Sequence, residues 1–348
     1  MSAISMSKGD AGGPAAPPAA GGAGAPDNGR TARRERIAAA AQRRGSLVVL
    51  VLVVAIASAS FESFLTGDNL SNIALQSSFL AVVALGMTFV IVTGGIDLSV
   101  GSVYALGGVL AAWASQYGTI PALLVPLVVC GAIGLLNGLL VARLGMAPFI
   151  VTLVTLLFAR GLLLALTDEG GTTYIVPSGS AFATMGQGTA FGVGYPVYIA
   201  VGLYLLGTLL LQRTRFGQTV FAIGGAPDAA RLMGLPVTRV TVSVYVMSGM
   251  LAGFGGTMLA AQSSSGVTIV GVGLELSAIS AVVIGGTLLT GGAGTTGGTL
   301  AGVVLLGVIA NIINQIGTLN SSYQQVVNGG FLVLVVVAQT FLARRQRL

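Results

Sequence analysis

Asp97, Arg160 and Glu275 are the ionisable residues that fall within or at the edge of long apolar runs, and ion-coupled chemistry would have to begin with them. Asp97 follows Gly94 and Gly95 and precedes LSVGSVYALGG, a position suited either to capping the next helix or to lining a polar path. Arg160 lies in the outer part of its run, where its stem can snorkel to the interface or its head can meet a substrate or partner. Glu275 opens another run, an ordinary place for a carboxylate near the positive end of a helix. Asn137, and Asn311 with Asn314 and Gln315, carry amides into apolar stretches, either to join helices or to face a passage. Phe149, Thr152 and Thr155 recur at i, i+3 and i+6, a spacing suited to stacking on a sugar ring and bonding its hydroxyls, or to core packing. The candidates for a translocation path are therefore Asp97, Ser99, Asn137, Phe149, Thr152 and Asn311.

Other chemistries are excluded by what is missing. The chain has no histidine, so His-based catalysis and His metal sites do not arise. A phosphate-binding P-loop needs Gly-x4-Gly-Lys-Ser/Thr, and the only lysine is Lys8, far from any such pattern. No nucleophile with a base, no metal-ligand set and no pair of carboxylates stands out, so we expect no catalytic residue, no metal and no cofactor on this chain. Cys130, the single cysteine, sits inside an apolar run and can form no internal disulfide.

The elements that must position these residues are membrane spans. Of 348 residues 54% are hydrophobic and 7% charged, against about 25% charged in soluble domains, so the chain is an integral membrane protein. The apolar runs are continuous and do not alternate, which points to helices and an all-α fold instead of a barrel. Glycine occurs 53 times, favouring helices packed closely through small side chains. Apolar windows place about ten spans near 46–61, 73–93, 98–116, 120–142, 147–167, 195–212, 240–262, 275–290, 296–316 and 324–342.

Arg30, Arg33, Arg34, Arg36, Arg43 and Arg44 precede the first span, and Arg344, Arg345 and Arg347 follow the last, so the positive-inside rule puts both termini in the cytoplasm. Placed this way, the net charge of +6 does not call for a nucleic-acid partner. The loops agree with one orientation: Glu62, Asp68, Asp168 and Glu169 lie on the loops expected outside, Arg143, Arg213, Arg215, Arg231 and Arg239 on those expected inside. Residues 1–45 read as a disordered cytoplasmic tail with a basic juxtamembrane segment, 46–342 as the transmembrane domain and 343–348 as a basic cytoplasmic tail. A cleavable signal peptide is not expected. TGGIDLSVGS at 93–102 and TGGAGTTGGT at 290–299 form a weak internal repeat, parallel in this topology.

The segment 213–239 is too polar for lipid and is expected to be cytoplasmic. Gly224 and Gly225 loosen the backbone, Pro227 suits a first helical position, Asp228 opposes the helix dipole and Arg231 can pair with it. Gly234 and Pro236 end a helix of about two turns, too short to stand without a surface to dock on.

ALGMTFVIVTGGIDLSVGSVYALGG at 84–108, FAIGGAPDAARLMGLPVTRVTVSVYVMSGMLAGFGG at 221–256, AISAVVIGGTLLTGGAGTTGGTLAGVVLLGVIANIINQIG at 278–317 and YQQVV at 323–327 resemble the permease subunit of ribose-type ABC sugar importers. The likeness covers about residues 62–342. It implies a subunit of the bacterial inner membrane that works as a pair, as a homodimer or heterodimer, with a separate ATP-binding ABC subunit and an extracytoplasmic sugar-binding protein. It further implies that Gly224, Gly225, Ala229, Ala230, Arg231 and Gly234, with Asp228 among them, make the contact with the ATPase. The sugar is expected to be ribose or a similar monosaccharide. An ion-coupled secondary transporter of a small polar solute is the competing expectation.

Overall fold

The computed structural model describes residues 46–316 and, beyond them, positions 323, 326, 327, 329, 330, 333 and 337. The expected tail at 1–45, both terminal arginine clusters, the segment 343–348 and most of the tenth window at 324–342 lie outside the described residues. All described residues belong to one compact unit, Ala41–Leu348.

The described residues form helices joined by turns and loops, with one two-stranded hairpin and an isolated bridge between Ile175 and Ser265. The helices are α1 (Ser46–Ser60), α2 (Gly67–Val92), α3 (Val100–Ala114), α4 (Thr119–Ala142), α5 (Pro148–Leu166), α6 (Ala181–Gln187), α7 (Tyr195–Arg213), α8 (Arg215–Gly225), α9 (Pro227–Leu232), α10 (Val237–Ser263), α11 (Leu274–Ile284) and α12 (Thr296–Ile316). Strands β1 (Thr189–Ala190) and β2 (Val193–Gly194) pair antiparallel between α6 and α7. Neither α6 nor the hairpin is foreseen by the apolar windows, which register only long hydrophobic runs.

Six helices, α2, α4, α5, α7, α10 and α12, are long and apolar enough to cross a membrane. The window at 275–290 is corrected: α11 ends at Ile284 after 11 residues, about 16 Å of rise against a hydrocarbon core of about 30 Å. The reason lies in the glycines that follow. Gly286, two residues past the helix end, takes φ of +89°, a left-handed value that a right-handed helix cannot continue through, and Gly291 and Gly292 further on are left-handed as well, at +84° and +75°. α3, at 15 residues, is likewise short for a crossing, although it is almost wholly buried.

Helix α10 runs through the centre, packing most extensively against α4 and α3 and then α2. Small residues permit this approach. A Cβ on Gly107 of α3 would lie 2.6 Å from Gly253 Cα on α10, and one on Gly138 of α4 would lie 2.7 Å from Val242 Cα. Such backbone-to-backbone contact is the expected substitute for hydrophobic driving force between helices in lipid. Hydroxyls fasten the other seams: Tyr204 donates to Ala81 O at 3.1 Å, while Thr88 and Thr299 lie 2.8 Å apart and Thr208 and Thr296 2.6 Å apart.

Candidate functional site

The segment 213–239 folds as two helices, where the sequence reading has one. Thr214 caps α8 by accepting from Gly217 N–H at 3.2 Å, and Gly217, Thr219, Val220 and Ile223 turn its inner face toward the protein. The signal for α8 was present: Phe216, Val220 and Ile223 recur at i, i+4 and i+7 behind a threonine. Gly224 and Gly225 are therefore corrected from a loosened linker to the last two residues of α8.

Pro227 opens α9 and its six residues are followed by Gly234 at φ +74°. Gly234 N–H donates to Arg231 O at 2.9 Å and Leu235 N–H to Ala230 O at 3.1 Å, closing the helix end. Arg231 and Asp228 form an exposed ion pair at 3.2 Å. Ala230 is the foot of the helix, fully buried, whereas Leu232 and Met233 stand 90% and 68% exposed beside the ion pair. Those two apolar side chains escaped the sequence reading because single hydrophobic residues in a polar stretch carry no periodicity.

Where α8 ends, just before α9 in the chain, the glycine pairs Gly94–Gly95, Gly224–Gly225 and Gly291–Gly292 come together. Gly292 N–H donates to Val92 O at 2.9 Å. A Cβ on Gly224 would fall on Val92 O, one on Gly291 would meet Gly94 N at 2.7 Å, and one on Gly292 would meet Gly225 Cα at 2.9 Å. Gly94 and Gly291, which match in the internal repeat, adopt similar left-handed backbones with φ of +80° and +84°. The two repeat copies and the end of α8 thus share one junction, with no side chain between them.

Beside this junction, Asp97 is fully buried. Its Oδ1 accepts from Ser99 N–H at 3.0 Å and Ser99 Oγ at 2.6 Å, and its Oδ2 from Ser248 Oγ of α10 at 2.8 Å. Asn137 Nδ2 of α4 donates to Ser99 Oγ at 3.1 Å. Asp97 is not the cap of α3: that position is Ser99, without a side-chain cap bond, and Asp97 instead holds the turn before the helix. A carboxylate so enclosed faces no opening in this conformation.

The alignment of Phe149 with Thr152 and Thr155 is also corrected. Phe149 is 54% exposed, while both threonines are buried and donate within α5, Thr152 to Pro148 O at 2.9 Å and Thr155 to Val151 O at 3.2 Å. Steps of three residues on a helix of 3.6 per turn drift by about 60° each, so the three side chains do not share one direction. Arg160 donates to Thr268 O at 2.9 Å and Val270 O at 3.1 Å, holding the loop before α11. Glu275, in the first turn of α11, packs over Gly101 of α3.

Asn311 of α12 exchanges amide bonds with Asn69 of α2, donating at 2.8 Å and accepting at 3.3 Å, and also accepts from Gln315 at 2.9 Å. It stands at the edge of a cavity of about 370 Å³ between α2, α11 and α12. Of the path candidates, Asp97, Ser99 and Asn137 form one bonded cluster, Thr152 reaches toward it at 3.5 Å from Ile96 O, and Asn311 and Phe149 lie elsewhere. Among the described residues, no group of three or more His, Cys, Asp or Glu could hold a metal ion.

Residues 69–336 match the family model for the branched-chain amino acid transport system / permease component. The chain is similar to the inner membrane ABC transporter permease protein YjfF of Escherichia coli (strain K12), 40% identical over 286 residues, covering 80% of this chain and 86% of that protein. It is 39% identical over 292 residues to the ribose import permease protein RbsC of Bacillus subtilis (strain 168), covering 82% and 88%. It is 35% identical over 313 residues to the galactose/methyl galactoside import permease protein MglC of Salmonella typhimurium, covering 85% and 93%. No solved structure matches.

Proposed function

The chain belongs to the branched-chain amino acid transport system / permease component family, and from that premise we propose how it works and what it carries. It is a multi-pass membrane permease subunit of an ABC sugar importer, and not an enzyme; ATP hydrolysis belongs to a separate subunit. The sugar carried is ribose or a similar monosaccharide, as the names of the ribose and galactose relatives suggest. A soluble binding protein delivers it outside, and a second permease subunit completes the membrane part. In this reading about ten spans cross the bacterial inner membrane with both termini cytoplasmic.

The observation that carries the mechanism is the position of α9. A two-turn helix exposing Leu232, Met233 and the Asp228–Arg231 pair follows, one residue on, the end of α8 at a junction of bare backbone that joins α2, α8 and the segment before α12. A partner that grips α9 through these side chains and Ala229 pushes on α8. Because Gly224 meets Val92 and Gly292 with no flexible side chain between, the displacement passes to both repeat copies at once. The ATPase is that partner, and its closure tilts the spans between outward and inward access. Asp97, tying the turn after α2 to α10 and, through Ser99, to α4, carries the same movement into the central bundle.

Membrane vesicles holding the whole importer should accumulate D-ribose, L-arabinose or D-galactose only with internal ATP and binding protein. Vesicles holding this chain alone should take up none under an imposed proton or sodium gradient. Gradient-driven accumulation by the chain alone would replace this reading with an ion-coupled carrier.

A further inference from the structure

The cavity between α2, α11 and α12 differs from the rest of the membrane region in its chemistry. Asn72 and Gln76 lie one turn apart on α2, and Asn311 and Asn314 one turn apart on α12, so two short amide rows border the same space. The reciprocal Asn69–Asn311 bonds tie the rows together at one end. Asn72 and Gln76 are exposed at the surface of a helix that is otherwise strongly apolar. Facing hydrocarbon, each amide would forfeit hydrogen bonds worth several kcal/mol in an environment without water. Water or a polar ligand in the cleft would supply those bonds.

We propose that this cleft is a holding site for an uncharged polyol, the monosaccharide in transit, on the outer half of the membrane; the ligand class rests on the importer reading above. An amide offers a donor and an acceptor side by side, as does a sugar hydroxyl, so paired amides match adjacent hydroxyls without requiring charge. No charged residue lines the cleft, which disfavours anionic or cationic solutes. Leu80, Val303 and Leu306 supply apolar wall for the C–H face of a ring. At about 370 Å³ the cavity lies within the usual range for small-molecule sites of roughly 300–1,000 Å³. Ser77, a lining residue only 6% exposed, presses its Oγ against Gly307 of α12 and so brings α2 and α12 together at the floor of the cleft.

The lone cysteine makes a direct test possible, because Cys130 is fully buried and a new thiol can be labelled selectively. In vesicles holding the whole importer, Gln76→Cys and Asn72→Cys should react with a membrane-impermeant methanethiosulfonate added outside. Whichever of D-ribose, L-arabinose and D-galactose the unsubstituted complex transports should slow that reaction at least fivefold, while labelling of Tyr198→Cys, outside the cleft, should not change. Asn72→Leu with Gln76→Leu should lower uptake at least tenfold with the complex still assembled. Thiols that the aqueous reagent cannot reach, or that transported sugar does not protect, would overturn the site while leaving the importer reading intact. Failure of the unsubstituted complex to transport any of the three would overturn the ligand class together with that reading.

Discussion

The two ends of α2 present opposite solutions to packing a helix in a membrane. At its C-terminal end, Val92 is pressed against Gly224 and Gly292 with no side chain between, and the neighbouring Asp97 has both oxygens occupied. Toward its N-terminal end, Asn72, Gln76 and Ser77 border an open cleft of about 370 Å³. The closed end can transmit displacement because it has no slack, and the open end can exchange a ligand because its polar groups are not all used by the protein. A second cavity of the same volume sharpens the contrast. It is lined by Leu85, Phe89, Leu203, Met247 and Phe254, and lipid or side-chain hydrocarbon can fill it without losing a hydrogen bond. Size alone therefore does not mark a site.

Variants at the two ends should separate these roles. Gly224→Val should be the most damaging, because its side chain must displace Val92 O and the Gly292 backbone; overpacking of this kind costs roughly 3 kcal/mol or more. We expect a large fall in melting temperature in detergent and no measurable uptake. Wild-type melting would show that the junction has slack after all.

Asp97→Ala should follow, at about 2–3 kcal/mol, since it strands the Ser99 and Ser248 donors in a buried site. Asp97→Asn should lose about 1 kcal/mol, because an amide can still accept from Ser99 N–H while the hydroxyls rotate. Equal damage from both would mean that the charge, and not the turn, is what matters.

At the open end, Gly307→Ala drives a methyl against Ser77 Oγ between α12 and α2 and should cost about 1–2 kcal/mol. Asn311→Ala, removing one amide pair between helices, should cost about 0.5–1.5 kcal/mol, in line with other hydrogen bonds inside membranes. A greater loss at Asn311 than at Gly224 would reverse the assignment of rigid and open ends.

The smallest effect on the fold is expected from Asp228→Lys with Arg231→Glu, under about 0.5 kcal/mol for so exposed a pair. Co-purification of the ATPase with the chain should nevertheless fall at least tenfold. Unchanged co-purification would remove α9 from the contact surface.

Much of the membrane architecture was legible in the chain because bilayer insertion demands continuous apolar length, which composition records directly. Thr214, Pro227, Gly234 and Pro236 announce local starts and stops through backbone geometry alone, and α9 forms between the last three of these as expected. The window at 275–290 misleads for a related reason. Hydropathy counts Leu288, Leu289 and the glycines around them as apolar, but takes no account of the left-handed backbone that stops α11 at Ile284.

By itself, the sequence determined that this is a helical membrane protein without P-loop or histidine chemistry, because those properties depend on residue types and short spacings. Only the tertiary structure decided that Gly94, Gly224 and Gly291 share one junction and that Asp97 is enclosed by Ser248 of α10, 151 residues away. It also decided that Phe149 and Thr152 part company, and that amides on α2 and α12 border one cleft. Such meetings depend on how helices cross and rotate against each other, and local spacing carries no information about a partner more than two hundred residues away, such as Asn311 for Asn69.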